Sequence, residues 1–347
     1  MKEDNKIALE HVKILRGPTQ VAVDITNKCN FRCLHCYNLS GENCIIDEEL
    51  SDNEFIELIN DIAQMKVYNV CFCGGEPLLR KELIYQCAEI LRKNNVPNVS
   101  LVTNGFLLSE EVAKNLYEAG VNRVQISLDG ADAKTHEKLR KMKGAYEKAI
   151  QAINNLRKIG FKDIDVAFCP TKFNINQIKD IHNLCLKLGV SQLRIQPLMY
   201  LGRATRNLDI VPSQLQYRDL VREIYDIQNS GKPPQIEWGD PVDHLIRFRT
   251  LSKHCINFVS IKANGSIIVS PYLPLTVGNI RKHRFGEYWE AGLARIWELD
   301  IVNELASKIT SISDFNKKYS DIPIVWEEKD IEIDIIDNYR IENHSLG

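Results

Sequence analysis

Short apolar runs alternate with amphipathic stretches of helical length from Val21 onward, and this alternation limits the fold more than any other feature. Strand-like runs begin near Val21, Val67, Val99, Val124, Ile164 and Leu193. Helical patterns fall over 53–65, 82–92, 110–119, 146–159, 177–188 and 214–228. Strands separated by helices lie parallel, joined by helical crossovers and buried on both faces. An α/β fold of repeated βα units is therefore predicted, with active residues at the C-terminal ends of the strands.

The turn after the first strand carries the run CNFRCLHC, which places Cys29, Cys33 and Cys36 within eight residues. Three thiolates at that spacing leave one iron of a four-iron cluster free for an exogenous ligand. A closed zinc site is the weaker reading, because no second CxxC pair or His pair follows.

CxxxCxxC followed by Tyr37 resembles the signature of the radical SAM superfamily. Gly74-Gly75-Glu76-Pro77 resembles the family's GGEP turn, and the stretches 101–105 (LVTNG) and 126–130 (ISLDG) fit the same pattern at two further strand ends. The resemblance covers residues 18–200 and implies a partial (β/α)6 TIM-like barrel. It also implies one four-iron four-sulfur cluster on Cys29, Cys33 and Cys36, with S-adenosylmethionine (SAM) on the open iron. Implied SAM contacts are Gly74, Gly75, Glu76 and Pro77 at the methionine end, with Glu76 accepting from the ammonium. Ser127 and Arg140 stand beside them, Arg140 steadying the carboxylate, and the backbones of His35 and Leu198 meet adenine. His35 occupies a position that is usually aromatic. For Thr103, Asn104 and Asp129, ligand contact and ordinary turn chemistry account equally well for the residue types.

The C-terminal third resembles the SPASM and twitch group of the same family. Pro197-Leu198 and Gly202-Arg203-Ala204 fit the exit from the barrel, and Cys255 precedes two alternating runs joined at Asn264-Gly265, a hairpin signal. A helix is expected over 287–299. That group places further cysteines here, yet Ser270-Pro271-Tyr272 stands where one is expected and none follows Cys255. A twitch/SPASM-like β-hairpin plus helix extension without an auxiliary cluster is the expectation. The organisation read from these features is an N-terminal extension (1–17), the barrel core (18–205), a helical linker (206–250), the twitch/SPASM-like unit (251–305) and a tail (306–347). The tail either adds an edge strand or covers the barrel mouth, and Arg281 to Arg284 read as a solvated basic turn. Cys71, Cys87 and Cys185 read as packing residues. Cys73 and Cys169 sit near strand ends and can line the barrel, while Cys255 is either a relict ligand or a hydrogen-atom donor.

With 44 basic and 46 acidic residues, the chain offers no global attraction for nucleic acid or an anionic membrane. No apolar run reaches membrane-spanning length, and the charged opening segment is no signal peptide. A cytoplasmic setting with reduced thiols is expected. The resemblance implies reductive cleavage of SAM, fed by a flavodoxin- or ferredoxin-type donor, and hydrogen abstraction from a C–H bond. It favours a ribosomal peptide or protein side chain, modified by crosslinking, epimerisation or oxidation. A small molecule such as an aminoglycoside, sugar or cofactor precursor is the alternative. The stretch before the first strand is too short to bury a core, so leader recognition would fall to a separate protein. A non-catalytic cluster scaffold or electron carrier is a reading of another class, opposed by the GGEP turn and the open iron, which a carrier does not need.

Overall fold

Seven parallel strands follow one another across the sheet in chain order: β1 (Gln20–Asp24), β2 (Asn69–Cys73), β3 (Asn98–Thr103), β4 (Arg123–Ser127), β5 (Asp163–Phe168), β6 (Gln192–Ile195) and β7 (Gln235–Trp238). The computed structural model describes residues 15–42, 48–239, 241–250, 256–315, 317 and 321–338. Helices α1 (Asp52–Gln64), α2 (Lys81–Lys93), α3 (Glu110–Ala119), the pair α4 (Ala133–Arg140) and α5 (Ala145–Ile159), α6 (Ile178–Leu188) and α7 (Gln214–Asn229) make the successive crossovers. Their boundaries follow local chemistry. Ser51 and Glu54 form a reciprocal capping box at the start of α1, and Gly120 ends α3 in the left-handed region at φ 113°.

Strand alternation separates the two faces of the sheet. Val21 and Val23 of β1 are fully buried in one apolar core with Ile59 and Ile62 of α1 and Leu83 and Ile84 of α2. Gln20, Ala22 and Asp24 point the other way and line an interior cavity of about 380 Å³. Residues from β2 to β6 line the same cavity, so the sheet curls around it as an open barrel.

The hairpin expected near Asn264-Gly265 is present, and it is continuous with the barrel. Strand β8 (Phe258–Ile261) pairs in parallel with β1, matching Gln20 to Phe258. β9 (Ser266–Ile268) and β10 (Leu275–Asn279) then run antiparallel, and β11 (Ile331–Glu332) adds in parallel at the edge. The tail thus supplies an edge strand, and its Trp326 also lines the cavity.

Three local expectations change. The segment 206–250, read as a helical linker, holds β7 between α7 and α8 (Pro241–Thr250), so a seventh parallel strand follows the six. The helix read over 287–299 is broken, because Gly292 adopts φ 108° and divides α9 (Phe285–Glu290) from a 3-10 turn over Leu293–Glu298. α10 (Asp300–Ser307) follows. Arg281 is clamped rather than solvated: its Nε pairs with Glu54 at 2.6 Å, and its other nitrogens donate to the carbonyls of Glu48 and Glu49. Cys255 lies outside the described residues, as do 1–14 of the N-terminal extension and the end of the tail. Among the described residues no helix is long and apolar enough to cross a membrane.

Phe72 of β2 is fully buried in the apolar core that the sheet shares with the helices. Phe72→Ala is expected to cost about 3–5 kcal/mol, read as a lowered urea midpoint with an unchanged slope.

Candidate functional site

The loop leaving β1 presents Cys29, Cys33 and Cys36, and backbone hydrogen bonds to other parts of the chain hold it. Gly75 N–H donates to the Thr26 carbonyl at 2.8 Å, and Glu76 N–H donates to that of Lys28 at 2.9 Å. A Cβ on Gly75 would stand 2.3 Å from the Lys28 oxygen, and one on Gly74, which sits at φ 125°, would stand 2.3 Å from the Thr26 oxygen. The two glycines therefore bring backbone against backbone, whereas the sequence reading gave them a ligand to approach. Gly202 repeats the device: Arg203 N–H donates to the Cys36 carbonyl at 2.9 Å, and a Cβ on Gly202 would meet the Cys36 and Tyr37 oxygens at 2.5 Å. Leu34 N–H donates to the Leu139 carbonyl at 2.9 Å. Side chains complete the frame. Glu49 accepts from Asn27 N–H at 2.7 Å and from the Thr26 hydroxyl, and Arg203 Nε donates to the Cys33 carbonyl at 2.9 Å.

The three cysteines share one small cluster with Phe31, Phe106 and Met142. Burial pushes the Cys33 thiol up to about 12 and raises Cys29, while Arg140 pulls both back. Thiolates there need added positive charge, which an iron–sulfur cluster provides. The loop also carries two buried polar atoms without a partner, Asn30 Nδ2 and His35 Nδ1. An orphaned amide donor on Asn30 beside the three thiols fits a bound group with acceptor atoms.

The GGEP carboxylate is fully buried. Glu76 Oε1 accepts from the Thr103 hydroxyl at 2.7 Å and from Leu78 N–H at 3.1 Å, and Oε2 accepts from Asn104 N–H at 2.9 Å. Asn104 in turn donates to Asn30 Oδ1 at 2.8 Å, which ties the end of β3 to the cysteine loop. Pro77 opens the 3-10 turn that Glu76 caps. Across the barrel mouth Asp129 is likewise fully buried. It accepts from Arg140 Nε at 2.6 Å and from Cys169 N–H at 2.8 Å, and His35 Nε2 lies 3.5 Å from it. Burial opposes the Asp129 charge, but Arg140, His35 and His136 hold its carboxyl below the ordinary range. Burial depresses His35 to about 4 despite Asp129, so the imidazole is neutral at pH 7. Arg140 Nη1 reaches within 3.9 Å of Cys33 Sγ. Ser127 lines the cavity beside this pair. Leu198 is buried, with its N–H taken by the Tyr217 hydroxyl at 3.2 Å.

Several cavity residues escape the sequence reading: Asp24, Tyr37, Arg194, Gln196 and Trp326, together with Cys71, which was read as packing. Asp24 is half-buried and lines the cavity. Burial raises its carboxyl from 3.8 to about 7, with Lys262 opposing. Tyr37 packs edge-on against Trp326 with centroids 6.0 Å apart. Cys73 and Cys169 line the cavity as expected, and Cys87 and Cys185 are fully buried in the core.

Gly75→Ala forces the GGEP turn off the cysteine loop. A stability loss of about 1–3 kcal/mol is expected, accompanied by reduced iron uptake on anaerobic reconstitution. Asp24 binds its proton more tightly in the native state than its unfolded value of 3.8. Between pH 4 and 7 the native state therefore holds more protons, and stability falls as pH rises until the folded pKa is passed. Asp24→Asn should flatten that part of a urea-midpoint profile against pH.

Residues 23–185 match the radical SAM superfamily. The AdoMet-dependent heme synthase of Methanosarcina barkeri is 28% identical over 303 residues, covering 80% of this chain and 84% of that protein. The mycofactocin maturase MftC of Mycolicibacterium smegmatis is 32% identical over 67% of this chain and 56% of its own length. Streptococcus suis SuiB, solved with its precursor peptide SuiA, shares the fold at a TM-score of 0.63 and 14% identity, covering 86% of this chain and 68% of SuiB. The cysteine loop, the GGEP turn and the partial barrel thus sit in a recognised frame, and the chain belongs to the radical SAM superfamily of enzymes.

Proposed function

We propose that this enzyme abstracts hydrogen from a C–H bond of a substrate held in the barrel cavity, and that the substrate is a ribosomal peptide or protein side chain. The observation that carries the chemistry is the meeting of three cysteines, the Glu76 network and the Asp129–Arg140 pair at one end of the parallel strands. When bound, a four-iron cluster on Cys29, Cys33 and Cys36 together with SAM supplies reductive cleavage to a 5′-deoxyadenosyl radical, given an electron from a flavodoxin or ferredoxin.

The chain's own groups orient that ligand. Arg140 commits its Nε to Asp129 and turns Nη1 toward Cys33 Sγ, which leaves Nη2 for a ligand carboxylate. Glu76 holds the backbone of 103–104 in place and retains lone pairs for an ammonium. Gly74, Gly75 and Pro77 set the height of that turn, Ser127 and Asn104 flank it, and the His35 and Leu198 backbones are the expected adenine contacts. Tyr37 and Trp326 narrow the mouth against water. The expected lack of an auxiliary cluster favours redox-neutral chemistry or direct return of an electron to the SAM site.

Two comparisons support a peptide: SuiB shares the fold and was solved with its precursor peptide, and MftC is a maturase. A second reading, a cofactor precursor, is supported by the heme synthase, which this chain matches over more of its length. The anaerobic rate of 5′-deoxyadenosine formation decides between them. Stimulation by a short peptide encoded beside the gene favours the first, and stimulation by iron coproporphyrin alone overturns it. Leader recognition would then be read as binding of that peptide to a separate small protein.

Changing Cys29, Cys33 and Cys36 together to Ala should lower bound iron from about four per chain to none and abolish 5′-deoxyadenosine. Retention of about four irons would reveal a second cluster. Arg140→Gln removes about 1.5–3 kcal/mol of charge-assisted bonding, so SAM affinity should drop about 10- to 100-fold with iron retained.

A further inference from the structure

Cys71 and Cys73 lie two residues apart on β2, so their side chains share the face that turns into the cavity. Their sulfurs are in contact at 3.3 Å. A pair of packing cysteines belongs on the opposite face, with Val70 and Phe72 in the apolar core. This pair instead shares its cavity with Ser127, Asp129 and Arg140, and Tyr37 lies close enough to feel the charges of both Cys73 and Cys36. The sulfur contact lowers the Cys71 thiol and raises that of Cys73, and Cys73, the last residue of β2, stands next to the Gly74–Glu76 turn that packs on the cysteine loop, with Cys71 one step further from it. Same-face positions on a strand place their Cα atoms about 6.6 Å apart, near the wide end of what a disulfide spans, so a bond formed there is strained and readily reduced.

We propose that Cys71 and Cys73 form a redox-active dithiol inside the barrel, with Cys73 the hydrogen-atom donor to a carbon radical held in the cavity. The Cys73 S–H bond breaks, the substrate radical gains the hydrogen atom, and a thiyl radical remains on Cys73. The Cys71 thiolate, having released its proton to solvent, bonds to that thiyl, and the surplus electron passes to a one-electron acceptor of the iron–sulfur class. A cytosolic thiol reductant of the glutathione or thioredoxin class then restores both thiols by disulfide exchange. The hydrogen-atom step rests on the radical reading of this site, whereas the disulfide chemistry does not.

Two measurements on the full chain test this. The anaerobically reconstituted protein is equilibrated in glutathione redox buffers, alkylated and digested with trypsin, which leaves both cysteines on the peptide 67–80. The expected result is reversible appearance of that peptide two hydrogens lighter and unalkylated, with mixed glutathione disulfide on Cys71 alone in Cys73→Ser. Independent alkylation of both cysteines across the whole series overturns the dithiol. The second measurement is SAM cleavage in D2O without substrate, where a thiol deuterium should enter 5′-deoxyadenosine in wild type and fall several-fold in Cys73→Ser. Undiminished label in Cys73→Ser overturns the donor role. No 5′-deoxyadenosine in either protein overturns the radical reading, and with it the donor step, while the glutathione series still decides the dithiol.

Discussion

The site depends on close backbone contact between the cysteine loop and two glycine turns from distant parts of the chain. Gly75 presses on the carbonyls of residues 27 and 28, and Gly202 presses on those of residues 36 and 37. Side chains at these positions would hold the strands' ends apart by more than the loop can absorb. A loop clamped at both ends presents its three thiols without relying on a ligand to order it, which is the preorganisation that a cluster site needs.

Around that loop, buried carboxylates do structural work. Glu76 is satisfied by Thr103, Asn104 and Leu78, and Asp129 by Arg140 and Cys169, so neither charge is left bare in a low-dielectric setting. Each network joins neighbouring strand ends, Glu76 linking β2 to β3 and Asp129 linking β4 to β5. Asp24 differs, since burial raises its carboxyl and the charge of Lys262 only partly opposes it. It pairs opposite Cys73 in the sheet, so both residues face the cavity and not the frame.

The sheet explains how a barrel of this size admits a substrate. It runs unbroken from β7 at one edge to β11 at the other. Strand β8 extends it beyond β1, and Phe258, Ser260 and Ile268 add a wall to the cavity. The C-terminal hairpin is therefore part of the container, and Trp326 from the tail closes against Tyr37 across its rim.

Local signals in the sequence determined the parallel βα order, the cysteine loop, the GGEP turn and the hairpin at Asn264-Gly265, because each depends on residues close together in the chain. β7 was not legible, since QIEW buries only Ile236 and lacks the apolar run of a central strand. Gly292 lay inside a helical pattern, and only its left-handed backbone reveals the break. The hydrogen-bond partners of Thr103, Asn104 and Asp129 could not be read from residue type and follow from the tertiary fold, which sets the first two beside Glu76 and the third beside Arg140. Tertiary structure alone decided which face of each strand meets the cavity. Alternation tells that Cys71 and Cys73 share a side, but only the curl of the sheet makes that side the inside of the barrel, bringing Asp24, Arg194 and Trp326 to the same space from positions hundreds of residues apart.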